Sequence, residues 1–202
     1  MAQAGALFPG SHPDSGSMQS LKGKLILDGG KLAGSEFHRT VVLICHHDPA
    51  GAFGLVLNRP SEHTIGEALT EPLPDPVKDL PLYLGGPVQP QTISCLIHEP
   101  TNDEVTGASV MPGLRIVRTL DELVELSGNF PASVQLKFFA GYAGWGPAQL
   151  DNEMKQAAWL TYPSSMELVF YPRPDELWKL ILRDMGPAYR LFADAPDDLS
   201  RN

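Results

Sequence analysis

The sequence contains few cysteines and no long apolar run. Only two of its 202 residues are cysteine, Cys45 and Cys95, and each lies in an apolar segment without adjacent cations. This setting favours buried thiols; pairing between neighbouring strands and one reactive thiol are the alternatives. No apolar run approaches the roughly 18 residues of a membrane span. The N-terminus also lacks the features of a secretory signal, which predicts a cytoplasmic protein without membrane contact.

Positive charge is also scarce. The chain has 15 basic against 24 acidic residues and a formal net charge of -9, a balance that repels nucleic-acid phosphate at long range. The C-terminal stretch that is richest in basic residues interleaves them with acidic ones, which is typical of a solvated helix face. It contains Arg173, Asp175, Glu176, Lys179, Arg183, Asp184 and Arg190. No nucleic-acid-binding motif is present, so we expect no direct contact with nucleic acid.

The distribution of apolar segments predicts one α+β domain. A chain of 202 residues corresponds to about one domain. Apolar segments over residues 40–46 and 54–58 flank a polar turn and predict an antiparallel hairpin. Separated short helices and a last strand over residues 166–171 give no regular βαβ alternation. We expect a disordered leader over residues 1–17, a single domain over 18–193 and an acidic tail over 194–202.

Three helices have recognisable ends. Thr64 to Glu67 and Thr119 to Glu122 each fit a capping box, which predicts helices that run to about Thr70 and Ser127. Proline at position 174 and glycine at position 186 mark the start and the stop of a third helix.

The segment over residues 134–151 is the most informative part of the chain. A short apolar run at its start predicts a buried strand that is stopped by glycine. Three glycines then alternate with Tyr142 and Trp145, and Pro147 stands at the expected first position of a helix. A strand, a glycine-rich turn and a helix start leave backbone N–H groups pointing outward. The segment therefore predicts one wall of a pocket.

Four motifs occur in the order found in one bacterial protein family. They are His47-Asp48 with the segment GAFGLVLNRP at 51–60, GGPV at 85–88, GYAGW at 141–145, and Gln149-Leu150. With these motifs the chain resembles the AlgH/YqgE family over roughly residues 21–185. The resemblance implies a bifurcated, mostly antiparallel sheet with a small barrel-like part, surrounded by short helices. The family carries a provisional label of transcriptional regulator and brings no catalytic residues.

The segment Cys45-His46-His47-Asp48 contains residue types used in metal binding and acid–base catalysis. Adjacent side chains on a strand point to opposite faces, so the two histidines are poorly placed to share one metal. No third ligand stands at a recognisable spacing. His47 and Asp48 form a candidate general base and orienting acid, although no nucleophile motif accompanies them. We expect no metal or cofactor, and an acid–base hydrolase that uses His47 and Asp48 is the alternative function.

We interpret the chain as a non-enzymatic binding or regulatory module for an unknown protein partner or small ligand; a direct DNA-binding regulator is a third possibility. Arg59 offers a fork to a carboxylate or phosphate, and Asn58 satisfies backbone groups at a turn. The glycine segments at 85–86 and 141–146 either pack tightly or present N–H groups to a ligand. The candidate ligand-binding residues are His47, Asn58, Arg59, Gly85, Gly86, Gly141, Tyr142, Gly144, Trp145 and Gln149.

Overall fold

The computed structural model describes residues 19–69, 73, 75, 77–99, 107–118, 122 and 133–195. The leader predicted over residues 1–17 lies outside these ranges, as do the acidic tail beyond Ala195 and, apart from Glu122, the helix predicted from Thr119 to Ser127. Among the helices in the described ranges, none has the length and apolar character needed to cross a membrane.

The described part of the chain contains ten β-strands. Eight of them follow the order β10-β1-β2-β3-β9-β6-β8-β7, while β5 pairs with β9 and β4 pairs with β5. The strands are β1 Lys24–Asp28, β2 Val41–Asp48, β3 Gly51–Val56, β4 Pro60–Thr64, β5 Pro81–Leu84, β6 Val88–His98, β7 Ala108–Met111, β8 Leu114–Val117, β9 Gln135–Trp145 and β10 Trp159–Pro163. The predicted hairpin is confirmed by the antiparallel pairing of β2 with β3.

Strand β9 is the centre of the sheet. Its first half pairs in parallel with β5 over residues 138–140, and its second half pairs antiparallel with β3 over residues 143–145. Strand β6 also pairs with β9, antiparallel, from residue 135 to residue 142. The sheet therefore divides along β9, which confirms the bifurcated, mostly antiparallel arrangement. The barrel-like part stays a prediction, since no pairing among the described strands closes the sheet on itself.

Five α-helices occur in the described ranges: α1 Ile65–Ala68, α2 Gln149–Lys155, α3 Met166–Val169, α4 Pro174–Asp184 and α5 Pro187–Ala193. The predicted capping box is present at the start of α1, where the Thr64 N–H donates to Glu67 Oε2 at 2.8 Å. Helix α4 begins at Pro174 and ends two residues before Gly186, as predicted. Together with the sheet these helices form a single α+β domain.

Three local predictions are wrong, and backbone conformation explains each difference. Strand β9 continues through the glycines to Trp145, because Gly141 bends the strand at φ +69° while its pairing passes to β3. Helix α2 begins at Gln149 rather than at Pro147, because Ala148 is left-handed at φ 58°. The segment predicted as a last strand forms helix α3, whose first turn is capped where the Leu168 N–H donates to Ser165 Oγ at 3.3 Å.

Both cysteines are buried in the core, which confirms their prediction as buried thiols. Cys45 is 3% exposed, Cys95 is fully buried, and neither forms a disulfide. Burial raises the pKa of the Cys45 thiol to about 12 and raises that of Cys95 as well. Neither thiol is therefore an available nucleophile near neutral pH.

One lysine of the central strand is buried as well. Lys137 is 5% exposed, and its Nζ donates to the backbone oxygens of Leu57 and Val169, each at 3.0 Å. The same nitrogen lies 4.1 Å from the centroid of the Tyr83 ring. Burial lowers the pKa of Lys137 from 10.5 to about 7. The side chain thus links β9 to the chain after β3 and to α3 without a carboxylate partner in the described residues.

Candidate functional site

A cavity of about 430 Å³ lies where the β2–β3 hairpin meets the ends of β8 and β9. We call it the Arg118 cavity. Strand β9 supplies one wall through Tyr142, Gly144 and Trp145, three of the residues proposed from the sequence. The remaining lining residues are His46, Asp48, Ala50, Gly51, Ala52, Phe53, Val88 and Arg118.

Arg118 is the principal cationic group of this cavity. It directly follows β8, and its guanidinium carbon lies 4.7 Å from the centroid of the Phe53 ring and 5.4 Å from that of Tyr142. The two rings meet edge to face at 6.1 Å. Stacking on aromatic faces holds the guanidinium while its N–H groups stay available. Arg118 is exposed, and within the described residues no carboxylate pairs with it.

His46 and Asp48 form the acid–base pair of the cavity. His46 Nε2 lies 2.9 Å from Asp48 Oδ2, and the imidazole stacks on Phe53 at 6.2 Å between ring centroids. The hydrogen bond from His46, followed by the N–H of Ala50, holds the pKa of the Asp48 carboxyl below its usual range. The pair therefore places a hydrogen-bonded carboxylate and imidazole in the lining of the cavity that also contains Arg118.

His47 points away from this cavity, so the expected pairing of His47 with Asp48 is not formed. Alternation along β2 places the two histidines on opposite faces. His47 is 6% exposed, its Nδ1 accepts the Leu21 N–H at 3.1 Å, and its Nε2 lies 3.6 Å from Asp151 Oδ2. It anchors the N-terminal segment and the first turn of α2 to the sheet.

A second hollow, of about 510 Å³, lies on the other side of Gly144 and Trp145. We call it the Glu153 hollow. Gln149, also proposed from the sequence, lines it together with Glu153 of the same helix. The other lining residues are Lys31, Leu32, Ser35, Phe37, Gln156, Ala158 and Trp159.

The Glu153 carboxylate is held by three side-chain donors. Its Oε2 accepts the indole N–H groups of Trp145 at 2.9 Å and of Trp159 at 2.8 Å. Its Oε1 accepts Gln149 Nε2 at 2.9 Å. The two indole rings and the ring of Phe37 pack together, with centroids 5.6 to 6.3 Å apart. The carboxylate therefore has a fixed position beside an aromatic cluster.

The glycines at 85, 86 and 141 pack against one another's backbones. A Cβ on Gly85 would lie 2.3 Å from Gly141 O, and one on Gly141 would lie 2.4 Å from Gly86 O. Real Cβ atoms do not approach backbone this closely. These three residues hold β5 against β9 at the point where the sheet divides. Of the two roles predicted for these glycines, the structure shows tight backbone packing.

Asn58 and Arg59 also contact backbone. Asn58 Oδ1 accepts the Val41 N–H at 2.8 Å, and its Nδ2 donates to Arg39 O at 2.9 Å. Arg59 donates to His38 O and lines a third hollow of about 390 Å³ with Gly86. The ten proposed residues thus fall around three hollows and the packing between them. Tyr142, Gly144, Trp145 and Gln149 share two adjoining hollows, whereas His47, Asn58, Gly85 and Gly141 line none of the three.

Sequence reasoning did not single out Arg118, Glu153 or the cavity role of His46. Arg118 stands at the end of an alternating segment, a pattern that predicts an exposed residue at the end of a strand. The pattern does not predict that Phe53 and Tyr142 lie against it. Glu153 follows Gln149 by one helical turn, so their shared helix face was detectable. The contact of Glu153 with two tryptophans depends on the tertiary fold.

Comparison with known proteins identifies the family of this chain. A family model described as AlgH-like matches residues 25–190. The chain belongs to the AlgH-like family. A UPF0301 protein from Chlorobium luteolum is 36% identical over 178 residues, which cover 87% of this chain and 91% of the relative. A UPF0301 protein from Myxococcus xanthus is 38% identical over 172 residues, or 84% and 93% of the two chains.

Two solved structures are similar to this chain in fold. The solution structure of the AlgH protein from Pseudomonas aeruginosa matches with a TM-score of 0.69 and 26% identity, covering 89% of this chain and 96% of that one. A crystal structure from Corynebacterium diphtheriae gives a TM-score of 0.69 at 23% identity and shows the fold alone. These names specify neither a ligand nor a reaction. Within the described residues, no cluster of three or more histidine, cysteine, aspartate or glutamate side chains suits a metal ion.

Proposed function

We propose that this chain is a binding module whose Arg118 cavity receives an acidic group of a protein segment or small ligand. The observation that carries the proposal is the exposed guanidinium of Arg118, held on Phe53 and Tyr142 and without a carboxylate partner in the described residues. A guanidinium forms paired hydrogen bonds with a carboxylate or a phosphate. The open cavity of about 430 Å³ beside it has room for such a group.

The lining of the cavity favours binding over covalent catalysis. No serine, threonine, cysteine or lysine is present among its lining residues, so the aliphatic hydroxyl, thiol and amine nucleophiles of covalent catalysis are missing there. His46 with Asp48 retains the chemistry of a general base, and a water-activating enzyme is the alternative function. In the binding proposal His46 instead offers an N–H donor near the acidic group.

A regulatory role, in this proposal, acts through a protein partner rather than through DNA. The net charge of -9 disfavours approach to a duplex at long range. Arg118 is the single lysine or arginine among the residues that line this cavity, and Asp48 lines it too, whereas phosphate-backbone binding draws on many lysine and arginine side chains.

We expect Arg118→Gln to weaken the binding of an acidic probe at least tenfold, because the substitution removes the charge and the fork of donors. The probe is N-acetyl-Ala-Glu-Ala-amide, and its dissociation constant is measured from the change in tryptophan fluorescence or by calorimetry. The tenfold loss corresponds to about 1.4 kcal/mol, which is the lower range for a hydrogen bond with a charged group.

Arg183→Gln is the matched control, since Arg183 is exposed and pairs with Asp194 on the helical side of the molecule. It should bind the probe as the unmodified protein does. A probe with glutamine in place of glutamate should bind the unmodified protein weakly. Its affinity should equal that of the glutamate probe for the Arg118→Gln variant. Equal affinity of the Arg118 and Arg183 variants for the glutamate probe would overturn the proposed function.

A further inference from the structure

The Glu153 hollow presents a negative charge next to the Arg118 cavity. All three donors to the Glu153 carboxylate, from Trp145, Trp159 and Gln149, are neutral. Within the described residues no cation pairs with this carboxylate. Lys31 is the cationic residue that lines the hollow, and its Nζ donates to Gln156 O at 2.5 Å. The hollow therefore combines aromatic rings with a fixed carboxylate that has no direct cationic partner in the described residues.

A carboxylate beside aromatic rings suits a cationic group. An ammonium or guanidinium is attracted both by the charge of a carboxylate and by the face of an aromatic ring. Trp145, Trp159 and Phe37 supply the rings, and their centroids lie within 6.3 Å of one another. Glu153 thus suits a cationic group, whereas Arg118 in the neighbouring cavity suits an acidic one.

Gly144 and Trp145 line both spaces, so the two adjoin. Gly144 is exposed and carries no side chain that would stand between them. The volumes of about 430 and 510 Å³ are each larger than one amino-acid side chain needs. An occupant that fills both spaces across Gly144 is therefore larger than a single free amino acid.

We infer that the ligand is an extended peptide segment of a partner protein that carries an acidic and a basic side chain. The acidic side chain binds Arg118, the peptide backbone crosses Gly144, and the basic side chain enters the Glu153 hollow. This inference rests on the proposed function and adds to it the cationic half of the ligand and the residue that selects it.

The test compares peptides on the unmodified protein. Acetylated and amidated peptides contain one glutamate and one lysine separated by one to four alanines, and each has a companion with norleucine in place of lysine. At the best spacing we expect the lysine peptide to bind at least tenfold more tightly than its norleucine companion. This comparison needs no variant and is independent of folding.

The variant Glu153→Gln then identifies the partner of the lysine. It keeps an oxygen acceptor for the indole N–H groups, and its thermal unfolding is measured beside that of the unmodified protein. We expect the advantage of lysine over norleucine to disappear in this variant while the affinity for the norleucine peptide is unchanged. Arg118→Gln should weaken both peptides.

The outcomes separate the two proposals. If lysine and norleucine peptides bind equally at every spacing and both depend on Arg118, the further inference fails and the proposed function stands. If no peptide shows dependence on Arg118, both fail. If free 6-aminohexanoate binds as tightly as the best peptide, the ligand is a small zwitterion, which overturns the assignment to a peptide.

Discussion

Replacing Gly141 with alanine is expected to lower the free energy of unfolding by at least about 4 kcal/mol. The residue has φ +69°, and a Cβ would lie 2.4 Å from Gly86 O and 3.0 Å from Val88 O. Both neighbours are backbone atoms, Val88 at the start of β6 and Gly86 in the short link between β5 and β6, and both strands pair with β9. Neither atom can therefore move far without disturbing that pairing. Chemical denaturation monitored by circular dichroism measures the change.

The matched control for this substitution is Gly34→Ala. Gly34 has a similar φ of +79°, and nothing lies within 4 Å of its added Cβ. It should cost only the conformational strain of an alanine in the left-handed region, about 1–2 kcal/mol. Equal losses in the two variants would show that the glycine packing at the division of the sheet does not hold the fold together.

The stability of the protein is expected to rise between pH 7 and 8.5 because of Lys137. Its pKa is lowered from 10.5 to about 7 in the folded protein, so between these values the unfolded chain binds a proton that the folded chain does not. Stability then increases with pH. From pH 7 to 8.5 the expected gain from this residue is about 1.5 kcal/mol. Below the pKa of Lys137 in the folded protein, the lysine is charged in both states. The destabilisation caused by burying this charge then no longer changes with pH.

The Lys137→Met variant isolates this effect. It removes the Lys137 donor from the backbone oxygens of Leu57 and Val169, so its absolute stability changes in more than one way. The informative quantity is its pH slope, which should be smaller by about 1.5 kcal/mol over this interval than that of the unmodified protein. Lys179→Met, at an exposed position, should keep the full slope. An unchanged slope in Lys137→Met would contradict this assignment.

The upper pH limit of 8.5 is set by other buried groups. Burial raises the pKa of the Cys45 and Cys95 thiols above the ordinary value of 9.0, and that of the Tyr83 hydroxyl above the ordinary value of 10.0. Above pH 9 the unfolded chain loses these protons first, and stability falls with further increase in pH. Measurements below that value see the lysine alone among these groups.

The parts of the fold that local sequence determines could be predicted. The β2–β3 hairpin follows from two apolar runs around a polar turn, and the continuous apolar run of β2 is buried as a strand between two neighbours should be. The ends of α1 and α4 follow from a capping box and from proline and glycine. In each case the signal and the structure lie within a few residues of each other.

The course of β9 could not be predicted from its own residues. Glycine usually weakens a strand, yet here Gly141 permits a bend at which β9 changes partner from β5 to β3. Strand β10 pairs with β1 over Trp159–Pro163. It too could not be predicted from its own residues, because pairing with a strand distant in sequence decides its conformation. Propensity alone does not carry that information.

The candidate site was predicted in part for the same reason. The segment with Tyr142, Gly144 and Trp145 lines the Arg118 cavity, and its sequence pattern indicated a pocket wall. The charged groups on either side, Arg118 and Glu153, reach this wall from elements that sequence does not place next to it. Their roles as ligand-binding residues stay predictions, as do those of the ten residues proposed from the sequence.

The most direct measurement of where an acidic ligand binds is a nuclear magnetic resonance titration of the ¹⁵N-labelled protein with N-acetyl-Ala-Glu-Ala-amide. We predict saturable shifts of the Arg118 side-chain Nε–Hε signal and of the backbone amides of Phe53, Tyr142 and Gly144. The same signals should stay unshifted with the glutamine peptide. Saturable shifts confined to residues outside the Arg118 cavity, or equal shifts with both peptides, would contradict the account.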